Sequence, residues 1–340
     1  MTRRDALCLA GVSLLGRFSP VLGKDDNPGD GVVHYGNEQS YEITHRASLA
    51  TGDADLSSLE LWLPVPMDCP EQTVERLVIQ PKLPVRTDVM SQATVAVLLK
   101  SKSVPRPGQS LSVELNYTVK SRSITVDWER LNEAELGEYK QDRDFRTFTR
   151  PEKKIEAKSA DIKRTAKEIA DRAQGPLEFA RQAYDWVIEH TKYQILPDVE
   201  GARYCFKQGH GECTEYAALF VALCRAAGIP ARPVVGLWAE GNDRWHVWAE
   251  FMLPSGDWLP IDPTAGDKGE WAYRQAFGFR ENKLVVLCKT YEIRIPKKSR
   301  GQRSIEFLQA GAIWWKARRL KPGGKPPHLT LSVTGRAVDS

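Results

Sequence analysis

Three side chains in this sequence are suited to attack on an amide carbonyl: Cys213, His246 and Asp262. Cys213 follows a glycine-bounded turn, Gly209-His210-Gly211, and opens an almost continuous apolar run to Ala227. Gly228 stops that run and Pro230 prevents its resumption. The pattern predicts a helix buried nearly all round, with Cys213 in its first turn. Free backbone N–H groups and the positive end of the helix dipole stabilise a thiolate there. The same N–H groups could hold the oxyanion of an attacked carbonyl. Cys224 lies mid-helix, where no N–H group is free, and reads as packing.

A thiol nucleophile needs a base, and the base needs an orienting group. Downstream, Arg232 to Ala239, Trp245 to Leu253 and Trp258 to Asp262 read as strands. Alternation puts His246, Trp248 and Glu250 on one face of theirs, and Trp258, Pro260 and Asp262 on one face of the next. A hairpin centred on residue 254 would set His246 directly opposite Asp262. Four tryptophans surround these positions, and Trp245 and Trp248 are candidates to wall a substrate groove or shield the His–Asp pair. Gln208 is a candidate oxyanion donor, with a solvated loop amide as the plainer reading. His210 could serve as an alternative base, and reads more simply as a rim residue. His190 ends a helix and reads as a surface group favoured by the dipole. Cys205, His210, Cys213 and Cys224 lack any CxxC pair, so no metal site is expected. No cofactor is expected.

These residues need a scaffold. Residues 32–125 alternate apolar and polar in short runs, as in Tyr41 to Thr44, Leu59 to Leu63, Ala93 to Leu99 and Leu111 to Leu115. Breaks every ten or so residues predict a β-sandwich. Residues 126–157 are charged and read as a connector. Ile162, Ala166, Ile169, Ala170 and Ala173 then share a helical face, and Pro176 suits the first turn of the next helix. That helix buries Leu177, Ala180, Tyr184, Val187 and Ile188. A catalytic core is expected over 158–275. A β-rich extension is expected over 276–340, with strand-like runs at Leu284 to Leu287, Tyr291 to Ile295, Ile305 to Trp315 and Leu329 to Val333. These would complete the core sheet or add to the sandwich.

The runs GHGECTEYAALFVALCRAAGIPARPVVG, WHVWAEF and WLPIDPT occur in order and resemble the transglutaminase-like superfamily, especially its bacterial members. The resemblance covers about residues 155–275. It implies an α+β, papain-like core: a nucleophile helix packed on an antiparallel sheet, preceded here by a β-sandwich domain. Residue by residue it assigns Cys213 as nucleophile, His246 as general base and acid, and Asp262 as the orienting acid. The Cys-to-His interval is shorter than in eukaryotic transglutaminases, and the chain is too short for their flanking barrels. Neither calcium dependence nor cross-linking is therefore implied.

Composition sets outer limits. The chain has 340 residues, 41% hydrophobic and 27% charged, as for an ordinary folded protein. A net charge of +4 without a basic block does not imply a nucleic-acid partner. No segment is apolar for long enough to span a membrane. Six cysteines are too few for a disulfide scaffold. Residues 1–23 resemble a twin-arginine export signal, with Arg3 and Arg4 before a short apolar run. Export to the periplasm or medium is expected, with a cytoplasmic protein as the alternative. The leading functional expectation is an enzyme that hydrolyses a peptide or protein amide through a thioester on Cys213. The alternatives are transamidation, and a non-catalytic binding protein with a relic site.

Overall fold

The computed structural model describes residues 31–81, 85–87, 95–100, 104–133, 137–295 and 303–338. The proposed export signal lies outside them. Two antiparallel sheets form the sandwich. One runs in the order Gly241–Asn242, His328–Val338, Val33–Ala50, Ser110–Val126 and Gln72–Gln80; the other in the order Ala312–Arg319, Asp55–Val65, Val95–Lys100 and Val85–Thr87. Period-two patterning gives each sheet one apolar face. Tyr41, Ile43, Val113 and Leu115 of the first meet Leu61 and Leu63 of the second in one core.

The functional sheet is separate and four-stranded: Trp258–Ile261, Trp245–Met252, Ala231–Trp238 and Leu284–Cys288, all antiparallel. The helix Cys213–Ala226 packs on it, and every residue from Thr214 to Arg225 is buried. Phe220 meets Phe251 edge-on, with ring centroids 6.4 Å apart. Helices Ala160–Ala170 and Pro176–His190 cover the same helix through Ile162, Ala166, Phe179, Ala183 and Val187. This is the expected α+β arrangement. Leu237, Val285 and Leu287 of the functional sheet, with Ala239 just after its strand, also enter the sandwich core, so the two layers share apolar contacts.

The last part of the chain serves both layers. Leu284–Cys288 joins the functional sheet, whereas Ala312–Arg319 and His328–Val338 are sandwich strands. The final strand pairs with the first from Ser40↔Val338 to Ala50↔His328. The run expected at Ile305 to Trp315 is divided between Arg303–Ile305 and Ala312–Arg319, and that from Tyr291 begins at Ile293. The charged connector carries two short helices, Trp128–Glu133 and Arg143–Phe148. Its Glu152 is buried in an ion pair with Arg225, 2.7 Å. The helix expected to reach Ala173 stops at Ala170, which is exposed.

Candidate active site

The helix Cys213–Ala226 begins where its sequence can tie down its own orphan amides. Glu215, at the third helical position, accepts from the Glu212 N–H (3.2 Å), the Glu200 N–H (2.9 Å) and the Gly201 N–H (3.3 Å). This buried carboxylate fixes the turn that presents Cys213. Gly211 must be glycine here, since a Cβ would run into the Glu215 side chain. Tyr291 Oη donates to the Thr214 carbonyl at 2.7 Å and holds the same turn from the other side. The Cys213 and Thr214 N–H groups, in the first turn, have no intrahelical acceptor.

His246 stands on the adjacent strand, buried except for a small fraction of its surface. Its Nε2 lies 2.6 Å from Asp262 Oδ2, and Cys213 is close enough to the same ring to favour its charged form. With Nε2 bound to Asp262, Nδ1 is the nitrogen left for the thiol. Burial opposes the imidazolium, but the Asp262 carboxylate and Cys213 outweigh it and push His246 up to about 10. Burial likewise opposes the charged Asp262, yet His246 and the Ala265 N–H hold its carboxyl below the usual range.

The pairing geometry differs from that expected. Ala249 lies opposite Ile261, so in that register the position facing His246 is 264 and the position facing Asp262 is Trp248. His246 and Asp262 are diagonal neighbours. They meet because the strand stops at Ile261 and Asp262 is instead the N-cap of the helix Pro263–Gly266, its Oδ1 accepting from Ala265 N–H at 2.9 Å. One carboxylate oxygen caps a helix and the other holds the imidazole.

A cleft of about 310 Å³ opens above Cys213 and His246. Tyr193, Trp238 and Trp245 wall it, and Arg244 and Lys268 stand on its rim. Trp245 is thus among the residues of the cleft. Trp248 does not line the cleft; it is buried beneath His246, ring centroids 6.1 Å apart, among Val234, Leu284 and Val286. Gly236 faces His246 on the next strand, and a Cβ there would come within 2.9 Å of the Trp248 ring. Gln208 is exposed at a helix end and is not among the cleft residues, so the oxyanion role expected of it has no geometric support. His210 is turned toward Tyr204 Oη, 2.9 Å, rather than the cleft. His190 is exposed and stacked on Trp186, as its place at a helix end suggests. Cys224 and Cys205 are buried, and burial pushes the Cys205 thiol up to about 12.

Sequence reasoning passed over Glu215, Tyr193, Arg244 and Lys268. A lone glutamate inside an apolar run, two residues after a candidate nucleophile, was a usable signal for the first. Tyr193 ends a two-residue strand, and Arg244 and Lys268 lie outside the regular elements, so side-chain direction has no periodicity to reveal it.

Residues 163–263 match the family model of the transglutaminase-like superfamily. The chain carries a transglutaminase-like core. A protein-glutamine gamma-glutamyltransferase of Pseudomonas aeruginosa is 36% identical over 91 residues, which are 22% of this chain and 14% of that protein. An uncharacterized protein of Haemophilus influenzae is 28% identical over 99 residues, 22% of this chain and 27% of the other. The chain therefore spans well under half the length of these relatives. A solved structure of a candidate cysteine protease from Cytophaga hutchinsonii superposes with a TM-score of 0.64 at 17% identity, covering 91% of this chain and 93% of that one. That likeness extends the shared fold to the sandwich. The match to the superfamily core supports an enzyme. Among the described residues, no helix is long and apolar enough to cross a membrane.

Proposed function

We propose that this transglutaminase-like protein is a cysteine amidase or peptidase, with Cys213 as nucleophile, His246 as acid–base and Asp262 as orienting carboxylate. The observation that carries the reading is the His246–Asp262 pair held through Nε2, with Cys213 at a helix N-terminus on the ring's other side. In this mechanism the thiolate of Cys213 adds to an amide carbonyl, and the first-turn N–H groups hold the oxyanion. His246 gives its proton to the nitrogen as the C–N bond breaks. Water, deprotonated by His246, then attacks the thioester and releases the acid.

Hydrolysis is the favoured outcome because the cleft rim is open: Tyr193 is 53% exposed, and Arg244 and Lys268 are exposed. Water at about 55 M meets an unshielded thioester unless an amine is held nearby. Transamidation is the second reading, favoured by the 36% identity over 91 residues to a protein-glutamine gamma-glutamyltransferase. A glutamine-containing peptide supplied with a labelled primary amine separates them. Cleavage or ammonia release without label supports the hydrolase. Incorporation of label dependent on Cys213 overturns it in favour of the transferase. We further propose export through the Arg3-Arg4 leader. Changing both residues to lysine should leave full-length protein in the cytoplasm, and an unprocessed N-terminus in the parent protein would refute export.

A further inference from the structure

Two cations flank the cleft, and neither is neutralised by the acids beside it in sequence. Arg244 precedes His246 by two residues, just before the strand begins, and its guanidinium lies 5.4 Å from the centroid of the Trp238 ring. Lys268 follows the helix capped by Asp262, close enough to help hold that carboxylate in its charged form. Asp243, next to Arg244, is turned away: its Oδ1 accepts from the Val333 N–H at 2.7 Å. Asp267, next to Lys268, accepts from Tyr216 Oη at 2.8 Å. Glu240 pairs with Lys283 (3.6 Å) and Glu270 with Arg274 (2.7 Å). No acidic side chain lines the cleft among the described residues. Glu212 stands on the helix side near Tyr193, and burial pushes its carboxyl up, toward the neutral form.

The placement of the two cations is one-sided. Arg244 stands two residues before His246 and Lys268 two residues after the helix that Asp262 caps, whereas Cys213 opens the nucleophile helix and Tyr193 comes from another segment. The proton that His246 carries goes to the leaving nitrogen, so the amine half of the substrate must lie on the His246 side. We infer that Arg244 and Lys268 select an amide whose amine half bears a carboxylate, either the C-terminal α-carboxylate of a peptide or an acidic side chain. This rests on the amidase reading and names its substrate class. The chemistry balances: the Cys213 S–C bond forms, the amide C–N bond breaks, His246 protonates the departing amino acid, and water cleaves the thioester. The released amine carries the carboxylate away between the two cations. Complementary charge at a rim acts on selectivity and on association more than on the chemical step.

The test compares three peptides that share an acyl half and differ after the scissile amide: glycine free acid, glycinamide and aspartic acid α-amide. The parent protein should cleave one or both carboxylate-bearing peptides about tenfold better than glycinamide in kcat/KM, and the advantage should shrink at high salt. Preference for the glycine acid alone identifies a C-terminal carboxylate; preference for the aspartyl peptide alone identifies an acidic side chain. In the double variant Arg244→Gln, Lys268→Gln the preference should fall to about twofold or less. No preference in the parent, or an undiminished one in the double variant, overturns the inference. A second readout does not depend on turnover. The ratio of Cys213 alkylation rates by iodoacetate and iodoacetamide should drop about tenfold in the double variant, since the anionic reagent alone responds to the cations. An unchanged ratio refutes the charge selection. Failure of all three peptides to be cleaved, with the ratio dropping as expected, refutes the amidase reading and leaves the anion-selective cleft standing.

Discussion

His246 and Glu250 project from one face of the strand Trp245–Met252, four residues apart, and each sits in a charged cluster. The surroundings differ in saturation. Glu250 is buried, with Lys289 Nζ 3.0 Å from its Oε1 and Arg232 2.7 Å from its Oε2. Lys289 is itself buried and also pairs with Glu71 of the sandwich, 2.5 Å. Every charge there is spent on another protein charge. At His246 one ring nitrogen is committed to Asp262 and the other faces a thiol beside an open cleft. Two ionic clusters on one strand thus divide the labour: a closed one joins layers, and an incomplete one is free to move a proton.

The contrast is sharpest if each cluster is broken separately. Asp262→Asn keeps a good helix N-cap, since asparagine caps as well as aspartate, but cannot sustain the imidazolium. Amide turnover should fall about 10³–10⁴-fold, with the melting temperature nearly unchanged. Near-normal turnover in that variant would reassign the orienting role. Lys289→Met should do the reverse. It strands Glu71 and Glu250 in the interior, so denaturant unfolding should register a loss of about 3–5 kcal/mol. A stability within about 1 kcal/mol of the parent would mean that the closed cluster is replaceable, as some buried ion pairs are.

Within a single helix the same comparison can be made by alkylation. Near pH 6 iodoacetamide should modify Cys213 at least about a hundredfold faster than Cys224, which is buried mid-helix with its thiol pushed up by desolvation. Equal rates, read by peptide mass analysis, would remove the case for a helix-stabilised thiolate. The pH dependence separates the histidines. His246 is raised from the usual 6.5 to about 10, so the native state binds its proton more tightly. The stability it contributes is complete below 6.5 and is lost as pH rises through about 10. Turnover should fall on its alkaline side near that value. An alkaline limb near 7 would contradict the His246–Asp262 pairing. His45 of the sandwich runs the other way. Burial lowers it to about 4, against the Ala310 backbone and Asp243, and its ring meets Trp245 edge-on at 5.3 Å. The unfolded chain binds its proton first, so stability drops as pH falls from 6.5 toward 4. The smallest effect follows from removing that titration: His45→Leu should narrow the difference in melting temperature between pH 7 and pH 5 by roughly a few degrees. An unchanged difference would assign the acid sensitivity elsewhere.

Much of the site was legible because local chemistry and pattern agree around it. Glycines and a glutamate ahead of an apolar run locate Cys213, and alternation locates His246. The diagonal meeting of His246 and Asp262 was not legible. A hairpin read from its midpoint assumes that both partners stay in the ladder, whereas Pro263 starts a helix and makes Asp262 its cap. Gln208 resembled an oxyanion donor by position alone, but its own helix carries it outward. The destinations of the C-terminal strands were hidden for a different reason. Their runs show apolar faces, yet the partner of Ala312–Arg319 is Asp55–Val65, and sequence pattern has no reach over that separation. Glu152 lay in a segment read as charged linker, yet its carboxylate is buried against Arg225, the Thr290 hydroxyl and the Tyr291 and Glu292 N–H groups.

The strand His328–Val338 has one more consequence, in the order of events during synthesis. It lies between Val33–Ala50 and the Gly241–Asn242 hairpin, hydrogen-bonded to both. The first strand of the sandwich therefore waits for residues 328–338 to leave the ribosome before its edge is covered. Such long-range pairing slows folding and leaves an unpaired edge exposed meanwhile. Because the same strand braces the turn just before Arg244 and His246, a chain cut short at its C-terminus lacks a support of the cleft as well as a sheet edge. The cleft is thereby complete only once residues 328–338 have been made.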